Sequence, residues 1–468
     1  MTDIVHLSAC EQADAIAARK LSSVEVLDAH LAQIARLNPA LNAIVTLAAE
    51  EARAGAIAAD EKVAAGEALG PLHGLPMLIK DVTLTKGMRT TFGSPQYRDF
   101  VPDEDAEVVV RLRKAGALVL GKTNTPEFAA GANTVNPVFG ATRNPWNLEL
   151  SPAGSSGGSA AAVASCMTPL AQGTDFGCSI RIPASFCGIV GLRTTPGLIP
   201  NRPMPLPWDP GQVHGPLARS AEDAALMLDA ITGFDPLWPI SLPPLWTSAR
   251  DEVRRFEDAK GLRIAYVSDI SGLGVDAEVD AICRTAALGL AAQGAVVDEI
   301  ALDLSDGFAP YKVLRGEWMV GNQFQRLHML DGFGPNLQGN VRDGLKVSIT
   351  DIAGAEAARE VVQARMRDFF GRYDFLLTPA APVPPYPVVK NFPDEIGGRK
   401  LENYIDWIAQ AFLITLVSFP AASAPAGKTE SNLPVGLQIV GPRLSDPKLL
   451  GLCKLVARAT PIGFPPNS

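Results

Sequence analysis

Apolar positions along this chain recur at spacings typical of helices, and short apolar runs typical of buried strands separate them. Residues 105–116 show the helical spacing, with Val108, Val109 and Leu112 on one face, and the run 117–120 then predicts a strand. The same alternation recurs in the C-terminal half, where strands are predicted at 262–267, 295–297 and 375–377 and helices at 276–293, 354–371 and 404–419. This alternation indicates an α/β fold with a mostly parallel sheet covered by helices on both faces.

The N-terminal region is predicted to be mainly helical. Ser8 and Glu11 have the three-residue spacing of a capping box, which marks the start of a helix. Ser22 and Glu25 repeat that spacing at the start of a second helix. The second helix is expected to end at Asn38-Pro39, because a proline interrupts helical hydrogen bonding.

Composition narrows the class of protein. The 468 residues include 41 Lys and Arg against 50 Asp and Glu, and the net charge of -9 disfavours a nucleic-acid-binding platform. With 47% hydrophobic residues, the chain can bury a large core. Six scattered cysteines without a CxxC pair indicate reduced thiols and no zinc site. No secretory signal and no membrane-spanning apolar run is visible, so a cytoplasmic protein is expected.

Two motifs suggest chemistry that their context does not support. Residues 116–123 satisfy the Walker A pattern, but their middle residues are typical of a strand and Pro126 follows almost at once, so no phosphate loop is expected. Ser156 stands in a G-x-S-x-G pattern, like the nucleophile of an α/β-hydrolase. That mechanism needs a late histidine, and the last 140 residues contain none.

The remaining candidate chemistry is acyl transfer without histidine. The apolar run 75–79 delivers Lys80 to the end of a predicted strand, where burial lowers the pKa of a lysine and allows a neutral amine to act as a base. Residues 154–159 lead into a helix whose N-terminus exposes backbone N–H groups, and the turn 173–183 presents a serine beside further N–H groups. Taken singly, these segments are also typical of a surface lysine and of a flexible linker or anion-binding cap.

Together, three segments resemble the amidase signature family of serine hydrolases. They are 71–81, with Lys80; 154–163, with Ser155; and 173–183, with Ser179. The intervals of 75 residues (155 − 80) and 24 residues (179 − 155) agree with the family arrangement. Further matching segments lie at 121–128, 187–193 and 433–441, so the resemblance covers nearly the whole chain and is weakest over about 235–350.

For the fold, the resemblance implies the amidase signature architecture, a twisted mixed β-sheet covered by α-helices on both faces. A single domain is expected over residues 1–468. Its parts are an N-terminal helical region at about 1–65, a catalytic core at about 66–234, and a variable substrate-pocket and C-terminal α/β region at about 235–468.

For the site, the resemblance implies a Ser-cisSer-Lys triad with no metal and no organic cofactor. Ser179 is the nucleophile and Lys80 the base, while Ser155, preceded by a cis peptide bond, relays the proton between them. The oxyanion hole is expected from the backbone N–H groups of four consecutive residues, Phe176, Gly177, Cys178 and Ser179. Supporting residues are Ser156, Asp175 and Arg181.

Two positions depart from the family pattern, which usually has glycine at both. This chain has Ala153 before the serine-rich segment and Cys178 just before the nucleophile. If Cys178 has a positive φ it is strained, and if it does not, its thiol only narrows the pocket. A catalytic thiol is disfavoured because no histidine lies near it in sequence.

The implied function is hydrolysis of a small-molecule carboxylic amide, with esters and carbamates as further possible substrates. The acyl pocket is expected from 130–150, 200–215 and 310–345, where Trp146, Trp208 and Trp318 suggest tolerance of aromatic groups. Two alternatives stay open: the glutaminase (A) subunit of a tRNA-dependent amidotransferase, and an inactive binding protein of the same fold. No nucleic-acid or membrane partner is expected, and a monomer or homodimer is expected.

Overall fold

A mixed β-sheet of eleven strands forms the centre of the described part of the chain. The structure is a computed structural model and describes residues 3–466 and 468. Met1, Thr2 and Asn467 lie outside these residues, so the first two positions of the stretch in which no secretory signal was expected are not described.

The strands and helices follow one another in chain order. The strands are β1 Ile44–Leu47, β2 Pro76–Lys80, β3 Leu118–Thr123, β4 Val135–Asn136, β5 Gly140–Ala141, β6 Leu170–Asp175, β7 Val190–Arg193, β8 Val213–Ala218, β9 Arg263–Tyr266, β10 Val296–Glu299, β11 Phe375–Pro379, β12 Glu395–Ile396, β13 Arg399–Lys400, β14 Ala421–Lys428 and β15 Pro434–Val440. The helices are α1 Ala9–Ala17, α2 Ser23–Leu41, α3 Ala49–Ala65, α4 Glu107–Lys114, α5 Gly157–Ala164, α6 Arg181–Cys187, α7 Ala221–Ile231, α8 Ala249–Arg255, α9 Ala277–Leu288, α10 Phe308–Gln323, α11 Pro335–Gly344, α12 Ile349–Phe370, α13 Ala409–Leu416 and α14 Asp446–Ala459.

The large sheet is mixed in direction, as the family resemblance implies. Its order is β1-β3-β2-β6-β8-β7-β14-β15-β11-β9-β10. Strand β2 runs parallel to both β3 and β6, and β9 runs parallel to both β10 and β11. The remaining neighbours are antiparallel, so the expectation of a mostly parallel sheet, drawn from helix–strand alternation alone, is wrong. The physical reason is that consecutive strands such as β14 and β15 pair directly through a short turn, without a crossover helix.

Helices cover both faces of this sheet, which β2 shows most directly. Met77 and Ile79 pack in one apolar cluster with residues of α4 and α7. Leu78, between them, packs in another cluster with residues of α2 and α5. Since successive side chains of a strand point to opposite faces, the two clusters lie on opposite sides of the sheet.

The N-terminal helices begin where the sequence predicts, and one ends later. Both capping boxes form, at Ser8 before α1 and at Ser22 before α2. Helix α2 continues past Asn38 with Pro39 inside it and stops at Asn42, whose φ of 50° is left-handed. The predicted end was therefore too early, because a proline in the last turn removes one hydrogen bond without forcing the chain out of the helix.

The proline-rich stretch 235–247 separates α7 from α8, at the place where the last region of the chain is expected to begin. The division into regions remains a prediction. Among the residues that the structure describes, no helix has both the length and the apolar character required to cross a bilayer.

Candidate active site

Lys80 carries its amine into the interior at the end of β2. The strand is buried along its whole length, and its last backbone N–H donates to the side-chain oxygen of Gln172 at 3.1 Å. The Lys80 side chain is fully buried. Burial lowers the pKa of the Lys80 amine to about 7, although the negative charge of Asp175 opposes this shift. A large fraction of Lys80 is therefore neutral near pH 7.

Three hydroxyl groups surround the Lys80 amine. Its Nζ donates to the Oγ of Ser155 at 2.6 Å, to the Oγ of Ser156 at 2.9 Å and to Oγ1 of Thr174 at 2.9 Å. A protonated amine has three donors, whereas a neutral amine has two donors and one lone pair. In the neutral form, one of these hydroxyl groups can therefore donate its proton to Lys80.

The serine-rich segment is held in place by a close approach of two backbones. The Gly154–Ser155 peptide bond is cis, as the family resemblance implies. At Gly158, in the first turn of α5, a Cβ would lie only 2.4 Å from the backbone nitrogen of Asn124. Only glycine fits there, which explains why the chain needs small residues after Ser155.

Ser156 ties this segment to the nucleophile turn. Its Oγ donates to the carbonyl oxygen of Thr174 at 3.2 Å, and its backbone N–H donates to the carbonyl oxygen of Ser179 at 3.1 Å. These contacts and the bond from Lys80 direct the Ser156 hydroxyl towards Lys80 and β6, so a supporting role stays the prediction for Ser156.

A buried ion pair braces the turn that follows β6. The Arg181 guanidinium donates to both carboxylate oxygens of Asp175, at 2.9 and 3.1 Å, and to the carbonyl oxygen of Gly177 at 2.8 Å. The backbone N–H of Ile180 donates to the same carboxylate at 3.0 Å. Although burial opposes it, the Arg181 charge holds the pKa of Asp175 below its usual value, so this carboxylate stays ionised.

The turn leaves a row of backbone donors free. Within residues 3–466 and 468, the N–H groups of Phe176, Gly177, Cys178 and Ser179 donate no hydrogen bond to another group of the protein. Successive free N–H groups in a turn form a site for an anionic oxygen. The arrangement can therefore stabilise an oxyanion beside Ser179, whose side chain is only partly buried.

Ser155 and Ser179 line the same small cavity, which we call the catalytic cavity. Its volume is about 30 Å³, and Phe176, Arg315 and Trp318 also line it. A second cavity of about 510 Å³, the outer cavity, shares Phe176, Arg315 and Trp318 with it. A third, of about 490 Å³, shares Phe128, Thr174 and Trp318.

The three sequence ranges expected to supply the pocket all contribute to these cavities. Gly131, Gln212 and Trp318 come one from each range and line the catalytic cavity. Trp208 lines the outer cavity, where it is 73% exposed. Trp146 lines none of the three cavities, because its indole N–H donates to the carbonyl oxygen of Cys187 in the core.

The structure answers the question raised by Cys178. Its φ is not positive, so no left-handed strain arises there. The thiol is buried and donates to the carbonyl oxygen of Gly154 at 3.5 Å. Burial raises the pKa of Cys178 to about 12, and a protonated thiol is a poor nucleophile. Ala153, the other departure from the family pattern, has a left-handed φ of 60°.

The Walker-like segment and a metal site find no support in the described residues. Lys122 lies in β3, and its buried amine donates to the hydroxyl groups of Thr85 and Thr90, so it is not free to bind a phosphate. No group of three or more His, Cys, Asp or Glu side chains in the described part of the chain is placed to hold a metal ion.

Three side chains of the site were not singled out from the sequence. Thr174 lies two residues after Gln172 in β6, so both point to the same face, towards Lys80. The alternation of side chains along β6 could therefore have indicated Thr174 from the sequence. Arg315 in α10 and Tyr404 in the loop before α13 carry no such signal, because packing of distant segments brings them to the cavity.

Comparisons with known proteins identify the family of this chain. A family model described as Amidase matches residues 25–450. An acylamidase of Rhodococcus erythropolis is 37% identical over 454 residues, covering 95% of this chain and 93% of that protein. The A subunit of a glutamyl-tRNA(Gln) amidotransferase from Acidothermus cellulolyticus is 36% identical over 482 residues, covering 96% of this chain and 93% of that protein.

Solved structures show the same fold. A bacterial aryl acylamidase of the amidase signature enzymes superposes with a TM-score of 0.88 at 28% identity and covers 97% of this chain and 96% of that chain. A 6-aminohexanoate cyclic dimer hydrolase superposes with a TM-score of 0.87 at 28% identity and covers 99% of both chains. With the family model and these relatives each spanning nearly its whole length, the chain belongs to the amidase signature family, whose enzymes hydrolyse C–N bonds.

Proposed function

We propose that this chain is an amidase that hydrolyses a small-molecule carboxylic amide through an acyl-enzyme on Ser179. The observation that carries the proposal is the buried Lys80 amine, which lies 2.6 Å from the Ser155 hydroxyl and has its pKa lowered to about 7. An amine that is half neutral at working pH is suited to act as a general base. A cytoplasmic enzyme, without nucleic-acid or membrane partners and active as a monomer or homodimer, is part of the proposal.

In the first step, Ser179 attacks the carbonyl carbon of the amide. Its hydroxyl proton passes to the Oγ of Ser155, and the Ser155 proton passes to the lone pair of Lys80. The electron pair of the carbonyl double bond moves to the oxygen, which the free N–H groups of residues 176–179 stabilise. Ser156 and Thr174 hold the Lys80 amine on its other sides.

The tetrahedral intermediate then collapses and the C–N bond breaks. The leaving amine takes a proton from Ser155, which is resupplied by the Lys80 ammonium, so the base is neutral again. A water molecule attacks the resulting ester on Ser179, and the same relay removes its proton and returns one to Ser179. The products are a carboxylic acid and an amine. Esters and carbamates present the same carbonyl to Ser179 and are further candidate substrates.

A second candidate function is the glutaminase step of an amidotransferase, which the amidotransferase relatives raise. Glutamine carries an ammonium group beside its carboxylate. Among the described residues that line the catalytic cavity, Arg315 is the only charged side chain, so no carboxylate is present there to pair with that ammonium. Inside the catalytic cavity, this charge distribution favours an amide without an ammonium group over glutamine. The free oxyanion donors favour an active enzyme over an inactive binding protein.

The test is a hydrolysis screen with the purified chain alone. Aliphatic amides, anilides, esters, carbamates and L-glutamine are offered at graded size, with Ser179→Ala as the blank. We expect release of amine or ammonia from amides that disappears in the blank. The glutaminase would be favoured if glutamine were the only substrate hydrolysed and if its hydrolysis required added partner proteins. Turnover that persists in Ser179→Ala would contradict the mechanism.

A further inference from the structure

Arg315 places a buried positive charge next to the nucleophile. It lies in α10, is only 7% exposed, and lines both the catalytic cavity and the outer cavity. A guanidinium keeps its proton at any working pH, and a buried charge is costly without a partner. In the described part of the chain, however, its hydrogen-bond partners are all neutral and no carboxylate forms an ion pair with it.

The neutral contacts leave part of the guanidinium free. Nε donates to Oδ1 of Asn340 at 3.0 Å, Nη2 to the Tyr404 hydroxyl at 2.8 Å, and Nη1 to the Tyr311 hydroxyl at a long 3.4 Å. Because a guanidinium has five N–H donors, two remain without a partner. The Tyr404 oxygen also accepts from Asn340 at 2.6 Å, so its own proton is left to donate. Arg315 and Tyr404 therefore present unused donors to the catalytic cavity.

Tyr311 connects these donors to the turn that carries the nucleophile, because its hydroxyl contacts both Arg315 and that turn. A Cβ built on Gly177 would lie 2.8 Å from the Tyr311 hydroxyl, so this oxygen touches the turn that carries the oxyanion donors. The guanidinium also lies over the Phe176 ring, 5.7 Å from its centroid. Because Arg315 and Ser179 line the same small cavity, a group bound by Arg315 lies a few bonds from the carbonyl that Ser179 attacks.

The charges of the lining residues favour an anion in the catalytic cavity over an anion in the outer cavity. The outer cavity is lined by Asp209, Glu317 and Glu356, and its other cation, Arg359, is already paired with Glu356 at 2.6 Å. Inside the catalytic cavity, none of the described lining residues is acidic. An anion there meets a cation and no like charge, whereas an anion in the outer cavity meets several carboxylates.

We propose that the substrate is a compact amide with a carboxylate group a few bonds from its scissile carbonyl, bound by the Arg315 guanidinium and the Tyr404 hydroxyl. The inference rests on the proposed amidase function and specifies its substrate class. A planar carboxylate matches the fork of a guanidinium, which explains why an arginine is buried at this point.

The test compares nearly isosteric charged and neutral amides with the purified full chain. Succinamate is compared with succinamide, and glutaramate with glutaramide, as kcat/KM per amide group. We expect each anion to be hydrolysed roughly 10- to 100-fold better than its neutral partner, the range for hydrogen bonds to a charged group. L-Glutamine, which adds an ammonium to glutaramate, should be poorer than glutaramate. A further comparison of kcat/KM, for N-acetylglycine and for N-propylacetamide, tests whether the carboxylate can also lie on the amine that leaves.

Variants assign the preference to Arg315. Arg315→Gln removes the charge, and Asn340→Asp keeps the arginine but places a carboxylate at its Nε; both should lower the anion-to-neutral ratio towards one. Arg359→Gln is the matched control, because it removes a cation of the outer cavity that Glu356 already pairs, and it should leave the ratio unchanged. If Arg315→Gln does not fold, the Asn340→Asp comparison still decides.

The possible failures are distinguishable. Equal kcat/KM values for charged and neutral partners in the wild-type enzyme, with turnover that depends on Ser179, would overturn the inference and keep the proposed function. An anion preference that survives both Arg315→Gln and Asn340→Asp would likewise overturn it. If no amide of this series is hydrolysed while another amide of the wider screen is, the inference is overturned and the proposed function is kept. If no amide of the series or of the wider screen is hydrolysed, the proposed function itself fails.

Discussion

The amine of Lys80 lies 2.6 Å from the hydroxyl of Ser155, although 75 residues separate them in sequence. Lys80 reaches this point because β2 ends there, between two parallel strands. Ser155 reaches it from the turn before α5, and Gly158 in the first turn of that helix lets the backbone pass close to the end of β3. Both side chains are buried, which shields the contact from bulk water.

The buried amine predicts the pH dependence of activity. Lys80 must be neutral to accept a proton, and its pKa is lowered to about 7 by burial. Below that pH the amine is protonated and blocked, and above it the amine is free. We therefore expect kcat/KM to rise with pH, with a midpoint near 7, and to level off above about pH 8, measured as a pH–rate profile on one amide.

His214 provides the control for this profile, because it is a buried histidine near Lys80. Its Nδ1 lies 2.8 Å from Nε2 of Gln172, and burial, together with the Lys80 charge, lowers the pKa of His214 to about 3. It does not titrate in the window of interest. His214→Gln should keep the rising limb, whereas Lys80→Ala should remove it with nearly all activity. The opposite pattern would mean that histidine is the base.

Replacement of single serines should separate chemistry from support. Ser179→Ala and Ser155→Ala should each lower kcat by about 10⁴ to 10⁶, as loss of a nucleophile or its proton relay does in comparable hydrolases. Ser156→Ala should cost roughly 10- to 100-fold, since it removes one contact to Lys80 and the bond to the Thr174 carbonyl. The measurement is kcat at saturating amide.

Ser159 is the matched control in the same segment. It is buried in α5, but its hydroxyl contacts Thr123 and the Gln172 carbonyl and not Lys80. Ser159→Ala should therefore keep kcat within a few-fold of wild type. If Ser156→Ala were as inactive as Ser179→Ala while Ser155→Ala stayed active, Ser156 would be the relay and the assignment would be wrong.

The family resemblance predicted those site residues that stand in short local motifs, and their catalytic roles stay predictions. Lys80 stands at the end of an apolar run, and Ser155 and Ser179 stand in glycine-rich turns whose function depends on neighbours a few residues away. Arg315 and Tyr404 could not be predicted in this way, because α10 and the loop before α13 reach the cavity only through tertiary packing. The prediction of a mostly parallel sheet was wrong for the same reason. The alternation of helices and strands in the sequence does not determine which strands become neighbours.

Cys178 should be dispensable for chemistry. Its thiol is buried and its pKa is raised to about 12 by that burial, so it is not a thiolate at neutral pH. Cys178→Gly and Cys178→Ala keep every backbone donor of the turn and should remain active, with changes mainly in which acyl groups fit. The measurement is kcat/KM over acyl groups of graded size. Inactivation of both variants would instead show that the thiol takes part in the reaction.

Chemical labelling tests the same point independently. A phosphonofluoridate should modify Ser179 and stop turnover, whereas iodoacetamide should react slowly with the native enzyme because all six cysteines are buried in the described chain. Rapid stoichiometric loss of activity with iodoacetamide at Cys178, in a protein whose Ser179→Ala variant still turns over, would contradict the serine mechanism.

Ala153 should tolerate glycine unusually well for a buried alanine. Its φ of 60° lies in the left-handed region, where an alanine costs about 1 to 2 kcal/mol relative to its usual conformations. Ala153→Gly relieves this cost but removes a fully buried methyl group, worth about 0.8 kcal/mol. The two effects nearly cancel, so the free energy of unfolding should change by less than about 1 kcal/mol.

Ala162 is the matched control for that substitution. It is also fully buried but lies within α5, where glycine costs about 1 kcal/mol in helix propensity in addition to the lost methyl group. Ala162→Gly should therefore destabilise the protein by about 2 kcal/mol, visible as a lower urea midpoint than that of Ala153→Gly. A destabilisation of about 1 kcal/mol or more by Ala153→Gly would show that the left-handed φ of Ala153 carries no strain, because the cost of the lost methyl group would then be uncompensated.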